Sequence, residues 1–480
     1  MSLPFFRRLR GVAALTLLLP LASSTAFVSN PKLAPAQAKK PDPQVIAQFG
    51  LLENPTMQRF IQQKGQQMAA VSSRASFGYN FTIVDSPVIN AFAAPDGNVY
   101  FTRGIMAHFN NEAQFAGVLG HEIGHITARH GEKQQTRSTL ATGALLLGSI
   151  LSKRVAQIAQ PLSQGVGLVF LKYGRDAERE SDQLGVTYST KIGYDASQMA
   201  DFFMTLQREQ ETSGAGAVPD FLSTHPNSAD RYQTVKQLAA QAKQNAGGRS
   251  LIVGRESYLK MLEGLAYGED PRQGFVEDGA FYHPELKFQF PVPSGWKTQN
   301  SPQQFQMAEP NGKAMIVLTT AGNGTLEAAA QSLAEQLKLQ SPQASRTTIN
   351  NFPAIAIQGD QIGQDQSGQQ AITANTLSYV IQDGKTLYAL IGLSAPQTMS
   401  TYGPQIQRVA QGFSRLTDAS KLNRQPERLR IKTAKTAQTL SAALTANGIP
   451  AKRHEELAIL NGMKTTDRLS VGMLYKVVGK

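Results

Sequence analysis

The residues best suited to chemistry in this sequence are two histidines and a glutamate beside one of them. His121-Glu122-Ile-Gly-His125 places two imidazoles four residues apart. On a helix this spacing leaves the two side chains about 40° apart around the axis and roughly 6 Å apart along it, so both can reach one ion. The motif therefore predicts a zinc ion bound by His121 and His125, with Glu122 free to take a proton from water. The alternative is a pair of core histidines on an amphipathic helix.

A later acidic segment offers the third ligand that such a zinc site needs. The stretch from Arg175 to Gly185 contains Glu178, Glu180 and Asp182. On a helix, Glu178 and Asp182 share one face while Glu180 points roughly the other way. One face can thus supply both a ligand and a neighbouring acid. The alternative is a charged helix whose acids are all solvated.

Local signals indicate which elements hold the motif. Asp96-Gly97 lies between two β-prone runs and predicts a hairpin across residues 88–102. Asn111 is a favourable N-cap, and the apolar spacing after it predicts a helix from Glu112 to about His130. The histidine pair is therefore expected on a capped helix that follows a hairpin.

The other histidines do not have the spacing of ligands. On a continuous helix His130 would lie about 140° further round than His125, which makes it a poor ligand and favours a supporting or surface position. We assign structural roles to His108, His283 and His454.

Composition limits the classes of protein that need to be considered. The 480 residues exceed what one core usually organises, and 41% apolar with 17% charged residues are typical of ordinary globular proteins. The absence of cysteine excludes thiolate metal sites, a cysteine nucleophile and disulfides. The formal net charge is +12, but no dense basic stripe with interleaved aromatics predicts a nucleic-acid partner.

The first 38 residues have the three regions of a secretory signal peptide. Basic residues precede an apolar run from Gly11 to Ala22, and small residues follow, with cleavage open after Ala26 or Ala38. We expect an exported, periplasmic protein, the alternative being an uncleaved N-terminal anchor. A second apolar run, Leu140 to Leu151, is too short to span a bilayer and predicts a lid or core helix, with peripheral membrane contact as its alternative.

Four motifs, taken in order, carry a resemblance to a known family. They are Asn90-Ala-Phe-Ala-Ala-Pro-Asp-Gly97, Val118 to His125 with Arg129-His130, Arg175 to Gly185, and Ser223-Thr-His-Pro226 followed by Arg231. Residues 41–268 resemble the zinc metalloprotease family of the CAAX prenyl endopeptidase and HtpX, most closely its soluble periplasmic, BepA-like branch of barrel-assembly-enhancing proteases. The resemblance implies a mainly α, zincin-type (gluzincin) peptidase domain with a small β-hairpin or sheet.

The resemblance also implies roles for individual residues. The first Glu of the family's Glu-x-x-x-Asp pattern binds zinc, which selects Glu178 as the third ligand of one Zn²⁺ per chain, with Asp182 as a proton donor or supporting acid. The implied activity is that of a metalloendopeptidase with Glu122 as the general base. His225 corresponds to a histidine that can approach the metal as a displaceable ligand, and a structural histidine before a helix is the alternative. Residues 211–220 contain glycines and a proline suited to a movable loop.

Substrate binding can be inferred from the predicted hairpin. We expect an extended chain to add a strand to the edge formed by Asn98, Val99, Tyr100, Phe101 and Thr102, which requires no particular sequence. This mode suits unfolded or misassembled proteins, and the resemblance implies that these are envelope proteins handled in quality control or outer-membrane assembly. The alternative is a chaperone-like or cell-wall-associated scaffold with weak or gated proteolysis.

The remaining sequence predicts further domains. A signal peptide (1–38) and the peptidase domain (39–268) are followed by strand and helix patterns typical of an α+β domain (274–416). A polar linker (417–430) leads to residues 431–480, where Ile459-Leu-Asn-Gly462 and Leu469-Ser-Val-Gly472 resemble a LysM module. Ala437-Gln438 replaces the usual Gly-Asp before Thr-Leu, so the LysM-like α/β fold is expected while peptidoglycan binding stays open.

Overall fold

The computed structural model describes residues 40–137, 173–212, 220–225, 230–364 and 370–480. The predicted signal peptide, the apolar run at 140–151 and most of the predicted movable loop lie outside these ranges. Within them, no helix is both long enough and apolar enough to cross a membrane.

Helices make up most of the described residues up to residue 261. Their bounds are Pro43–Phe49, Pro55–Ala70, Arg103–His108, Glu112–Thr127, His130–Arg137, Arg175–Lys191, Ser197–Thr212, Asp220–Thr224, Arg231–Asn245 and Arg255–Met261. We call Glu112–Thr127 the motif helix and Arg175–Lys191 the acidic helix. Asn111 caps the motif helix as predicted, because its side chain accepts a hydrogen bond from the Gln114 backbone N–H at 2.8 Å.

Glycines allow the motif helix and the acidic helix to pack at close range. A Cβ atom on Gly120 would lie 2.9 Å from the carbonyl oxygen of Gly185, and one on Gly185 would lie 3.0 Å from the backbone nitrogen of His121. Side chains at these positions would separate the two helices. The small residues therefore bring the histidines of one helix within reach of the acids of the other.

A three-stranded sheet lies beside the motif helix. It contains β1 (Asn80–Val84), β2 (Ala91–Ala93) and β3 (Asn98–Thr102) in the order β1-β3-β2. The antiparallel pairing of β2 with β3 confirms the predicted hairpin. The prediction that Asn98–Thr102 is a free substrate-binding edge is wrong, because β3 also pairs in parallel with β1 and is the central strand. The Asp96-Gly97 turn signal predicts only the pairing of the two strands that it connects. It gives no information about β1, which precedes the hairpin in the chain.

The accessory region contains two sheets. Strands β8 (Lys297–Asn300), β9 (Gln304–Ala308), β10 (Ala314–Thr320), β11 (Leu339–Ile349), β12 (Phe352–Gln364), β13 (Gln370–Asp383) and β14 (Thr386–Ser394) form a sheet in the order β11-β12-β13-β14-β10-β9-β8. Strands β5 (Phe275–Glu277), β6 (Ala280–His283), β7 (Phe288–Pro291) and β15 (Ser414–Arg415) form the other, and Pro271–Gln273 is a 3₁₀ turn.

Two helices cover opposite faces of the seven-stranded sheet. Leu326–Gln336 packs with one set of alternating strand residues, including Met315 and Val317, and Met399–Gln411 packs with the other set, including Ile316 and Leu318. A helical region followed by a sheet-rich region agrees with the predicted multidomain architecture. The exact domain boundaries remain predictions.

The last fifty residues form a β-α-α-β unit. Its elements are β16 (Glu427–Thr433), β17 (Gln438–Thr439), the helices Leu440–Ala446 and His454–Leu460, the 3₁₀ turn Ala451–Arg453, β18 (Arg468–Leu469) and β19 (Leu474–Gly479), after a short helix at Ala419–Leu422. β16 begins inside the predicted linker and pairs with both β19 and β4 (Ala266–Tyr267). Buried apolar residues of this C-terminal unit belong to the same hydrophobic core as the helices before residue 262. The LysM-like identity of this unit remains a prediction.

Candidate metal centre

Four side chains that can bind a metal meet between the motif helix and the acidic helix. They are His121, His125, Glu178 and His225, all buried, and each offers one ligand atom within 4.8 Å of the others. His121 Nε2 and His125 Nε2 are 3.0 Å apart, and Glu178 Oε1 lies 3.5 Å from His125 Nε2. The three residues selected from the sequence as zinc ligands are therefore brought together.

His225 lies in the same cluster, immediately after the short helix Asp220–Thr224. Its Nδ1 is 3.2 Å from His121 Nε2 and 3.1 Å from Glu178 Oε1, while its Nε2 lies 3.6 Å from Glu122 Oε1. The ring also stacks on Phe221, with centroids 4.6 Å apart. The side chain thus stands between the other three ligands and Glu122.

The carboxylates at the centre are only partly satisfied. Both oxygens of Glu122 are buried without a hydrogen-bond partner in the described part of the chain, and so is Glu178 Oε2, although Arg231 Nη1 lies 3.1 Å from it. Burial raises the pKa of Glu122, and the nearby His225 offsets part of that effect. Buried polar atoms without partners are rare in folded proteins and are often found where a ligand or a reaction uses them.

Asp182 and Arg231 support the cluster from behind. Asp182 Oδ1 lies 3.0 Å from His121 Nδ1, and the Arg231 guanidinium donates to both Asp182 oxygens at 2.7 and 2.8 Å. Burial alone would raise the pKa of Asp182, but Arg231 and the hydrogen bonds outweigh it and lower the pKa to about 2. Asp182 is consequently a carboxylate that orients His121. The sequence analysis named Arg231 only as part of a motif. Arg231 lies 49 residues after Asp182, and no local pattern indicates contact between them.

Two further residues contact His125: Tyr173, which had no assigned role in the sequence, and His130, which was expected in a supporting or surface position. Tyr173 stacks on the His125 ring, with centroids 3.8 Å apart. His130 Nδ1 lies 3.0 Å from His125 Nδ1, on the side of the ring away from the cluster. The motif helix ends at Thr127 rather than near His130, and Arg129 adopts a left-handed conformation with φ of 58°. This turn carries His130 back toward His125, which a continuous helix would not do.

The donor set fits zinc. In tetrahedral coordination, imidazole nitrogens about 2.1 Å from the ion lie roughly 3.4 Å from each other, close to the separations seen here. Burial, with the neighbouring histidines adding to it, lowers the pKa of His125 well below its usual value, so this imidazole is neutral, as metal binding requires. Two histidines and a glutamate also match the ligand types of a catalytic zinc site.

Comparison with known proteins connects this geometry to a family. Residues 55–239 match peptidase family M48. The chain is 27% identical over 202 residues to the β-barrel assembly-enhancing protease of Escherichia coli, covering 40% of this chain and 41% of that protein. It is 28% identical over 212 residues to the same-named protease of Yersinia pestis, covering 42% of each chain. It is also 29% identical over 209 residues to the mitochondrial metalloendopeptidase OMA1 of Arabidopsis thaliana, covering 43% of this chain and 40% of that one.

These similarities concern one part of the molecule. The matched segments span about two fifths of the length of these curated relatives. The family match at residues 55–239 includes all four residues of the cluster and the supporting residues Asp182 and Arg231. Residues 55–239 are thus similar to peptidase family M48, and the relatives that the chain resembles include barrel-assembly-enhancing proteases and a metalloendopeptidase.

Proposed function

We propose that this protein is an exported, zinc-dependent metalloendopeptidase that hydrolyses internal peptide bonds of proteins in the cell envelope. The observation that carries the proposal is the convergence of His121, His125 and Glu178 beside a buried glutamate that has no hydrogen-bond partner among the described residues. The bacterial relatives are named for enhancing β-barrel assembly, which supports envelope proteins that have yet to assemble as the substrate class.

The chain's own residues would divide the chemistry among them. Zinc, when bound by His121, His125 and Glu178, would supply the Lewis acid that polarises the scissile carbonyl and activates water. Glu122 would accept the proton from that water and return it to the leaving amine, because its two oxygens have no hydrogen-bond partner among the described residues. Asp182 would hold the His121 ring through Nδ1 and leave Nε2 facing the metal.

His225 would act as a gate for this centre. Its two ring nitrogens face Glu178 and Glu122, so its imidazole fills the space that a water and a substrate carbonyl need. The segment that carries it is also held to the small sheet, because Phe221 N–H donates to Ile89 O at 3.1 Å. Release of this segment would free both the metal and the main chain that leads into β2.

The substrate strand would therefore add along β2 instead of β3. β2 is an outer strand in the order β1-β3-β2, and it begins two residues after Ile89, whose carbonyl accepts from Phe221. Main-chain hydrogen bonds to an outer strand select an extended chain without selecting its sequence. Competition between substrate and the His225 segment for this edge would couple substrate binding to opening of the gate.

Casein cleavage by the purified chain tests the proposed activity. We expect cleavage that a divalent-metal chelator abolishes and that added zinc restores. A scaffold without peptidase activity would instead retain bound client protein and leave casein intact in every condition. Intact casein with a zinc-loaded protein from which the His225 gate has been removed would contradict the proposal.

The His225→Ala variant tests the gate. It should cleave casein faster than the wild type, because the imidazole no longer occupies the position beside Glu122 and Glu178. His454→Ala is a suitable control, since His454 is also buried but bonds to Ser441 and Ile449 far from the cluster. An unchanged or lower rate for His225→Ala would count against a gate and favour a structural histidine.

Glycan binding by the C-terminal unit is a separate part of the proposal. The β-α-α-β order of residues 427–480 supports the expected LysM-like fold. Sedimentation of the purified protein with peptidoglycan should remove it from solution if the unit binds glycan. If the protein contacts membranes peripherally, it should float together with lipid vesicles in a density gradient.

A further inference from the structure

A second histidine holds the His125 ring on the side away from the cluster. His125 Nε2 faces the other ligands, 3.0 Å from His121 Nε2, while its Nδ1 lies 3.0 Å from His130 Nδ1. His130 Nε2 in turn lies 3.1 Å from Glu180 Oε2. These contacts form a continuous chain from the centre of the cluster to a carboxylate at the surface.

One arrangement of protons satisfies every contact in this chain. A histidine nitrogen that binds a metal carries no proton, so the His125 proton sits on Nδ1 and is donated to His130. His130 Nδ1 must then accept, which places the His130 proton on Nε2, where Glu180 accepts it. The Ser181 hydroxyl lies 3.3 Å from His130 Nδ1 and is a longer, secondary contact.

We propose that His130 and Glu180 are positioning residues that fix the ring orientation and proton position of the zinc ligand His125. The inference rests on the proposed metal site. The two helix histidines would then be oriented by different devices: His121 by the carboxylate of Asp182 directly, and His125 by a carboxylate that acts through a second imidazole. Partners of this kind behind a ligand tune metal affinity.

Burial indicates which of the two positioning residues matters more. His130 is 5% exposed, whereas the Glu180 side chain is 54% exposed and can exchange its hydrogen bond with water. The left-handed turn at Arg129 aims the buried imidazole at His125. His130 should therefore carry most of the effect, and Glu180 should refine it.

Substitutions at His130 test the proposal in the full chain. His130→Leu removes the acceptor, while His130→Asn keeps an oxygen acceptor close to the position of Nδ1. The zinc dissociation constant, measured by competition with a chromophoric chelator, should rise about 10- to 100-fold for His130→Leu. His130→Asn should recover most of the affinity. The visible spectrum of the Co²⁺-substituted protein should change for His130→Leu, because the geometry around the ion changes.

Substitutions at Glu180 separate hydrogen bonding from charge. Glu180→Leu should weaken zinc binding less than His130→Leu does, and Glu180→Gln, which retains an acceptor oxygen, should lie closer to the wild type. Asp176→Asn removes a charge from the same helix at a fully exposed position and is the matched control. An equal effect of Asp176→Asn and Glu180→Leu would show a general charge effect and would overturn the role of Glu180.

The results distinguish failure of the inference from failure of the proposed function. Wild-type zinc affinity and an unchanged Co²⁺ spectrum in His130→Leu would overturn the inference alone, whereas a wild-type chain that binds no zinc would overturn both. If His130→Leu does not fold, nitrogen-15 spectra of the zinc-loaded wild type decide. A proton on His125 Nδ1 and on His130 Nε2 is expected, and a proton on His130 Nδ1 would contradict the proposal.

Discussion

The molecule contains two buried polar clusters that differ in how well their hydrogen bonds are satisfied. In the metal centre, both Glu122 oxygens have no hydrogen-bond partner among the described residues. In the second cluster, which we call the tail anchor, Lys476 Nζ donates to the carbonyl oxygens of Ala107 at 2.7 Å and Phe109 at 2.9 Å. The Asn461 side chain accepts from the Lys476 backbone N–H at 2.7 Å and donates to the Leu457 and Lys476 carbonyls.

The difference in hydrogen bonding distinguishes a cluster with a chemical role from a cluster with a structural role. In the tail anchor, Lys476 and Asn461 form hydrogen bonds with their neighbours. These bonds join the C-terminal unit to the end of the helix Arg103–His108, which is a structural role. The metal centre keeps carboxylate oxygens without hydrogen-bond partners among the described residues and crowds imidazole nitrogens together, which costs stability and is accounted for by a bound ion. The predictions that follow perturb one cluster or the other.

The largest expected effect is loss of hydrolysis in Glu122→Gln. Removing a general base typically lowers the rate about 10²- to 10⁴-fold, and casein cleavage under saturating zinc would measure it. Zinc content should stay at the wild-type level, because Glu122 is not assigned as a ligand. The thermal unfolding temperature should not fall, since the amide replaces a buried carboxyl group that has no hydrogen-bond partner among the described residues. Zinc-dependent cleavage retained by this variant would refute the assigned base.

The next effect concerns stability instead of activity. Lys476→Met keeps the length of the side chain but leaves the carbonyls of Ala107 and Phe109 without their donor. Leaving two buried acceptors unsatisfied should lower the free energy of unfolding by about 2–4 kcal/mol, which urea denaturation would show. Casein cleavage at a temperature where the variant is folded should be unchanged. Loss of activity in the folded variant would argue that the two clusters are not separate.

The same lysine predicts a dependence of stability on pH. Burial, with the positive charge of Arg255 added to it, lowers the pKa of Lys476 well below 10.5. Between the folded and the unfolded pKa, unfolding takes up a proton, so rising pH stabilises the folded state. The free energy of unfolding of the wild type should therefore increase relative to that of Lys476→Met from pH 7 to pH 10. Parallel urea curves across this range would check it, and a difference that shrinks would contradict the lowered pKa.

The smallest effect is expected at an exposed ion pair between Arg208, in the helix Ser197–Thr212, and Glu455, in the C-terminal unit. Glu455 accepts from Arg208 at 2.7 Å, but its side chain is 51% exposed. Solvent screens such a pair, so Glu455→Gln should change the free energy of unfolding by less than about 0.5 kcal/mol. Adding salt should leave the difference between the two proteins close to zero. A change as large as that of Lys476→Met would show that exposure does not separate these contacts.

Local sequence patterns were sufficient for the elements but not for their partners. The cap at Asn111, the hairpin at Asp96-Gly97 and the faces of Glu178 and Asp182 all follow from rules that span a few residues. The parallel pairing that makes Asn98–Thr102 central depends on a strand from before the hairpin, which no local pattern encodes. The end of the motif helix at Thr127 likewise depends on one left-handed residue, Arg129, for which the sequence has no glycine signal.

The role of buried charges could not be read from spacing for a related reason. Spacing separates Glu178 from Glu180 by helix face, but only packing shows that the face of Glu178 meets the cluster and that Glu180 lies at the surface beside His130. Arg231 and Lys476 resemble ordinary basic residues until their acceptors are known. Burial and hydrogen-bond partners are long-range properties that a single sequence does not state.

The central claim is that His121, His125 and Glu178 bind one zinc ion. Metal analysis of the purified full-length chain by mass spectrometry tests it most directly, with His121→Ala, Glu178→Ala and Glu122→Gln prepared in the same way. We predict one zinc per chain in the wild type and in Glu122→Gln, and little or none in His121→Ala and Glu178→Ala. Zinc retained at full stoichiometry by Glu178→Ala, or absent from the wild type after exposure to zinc, would contradict the account.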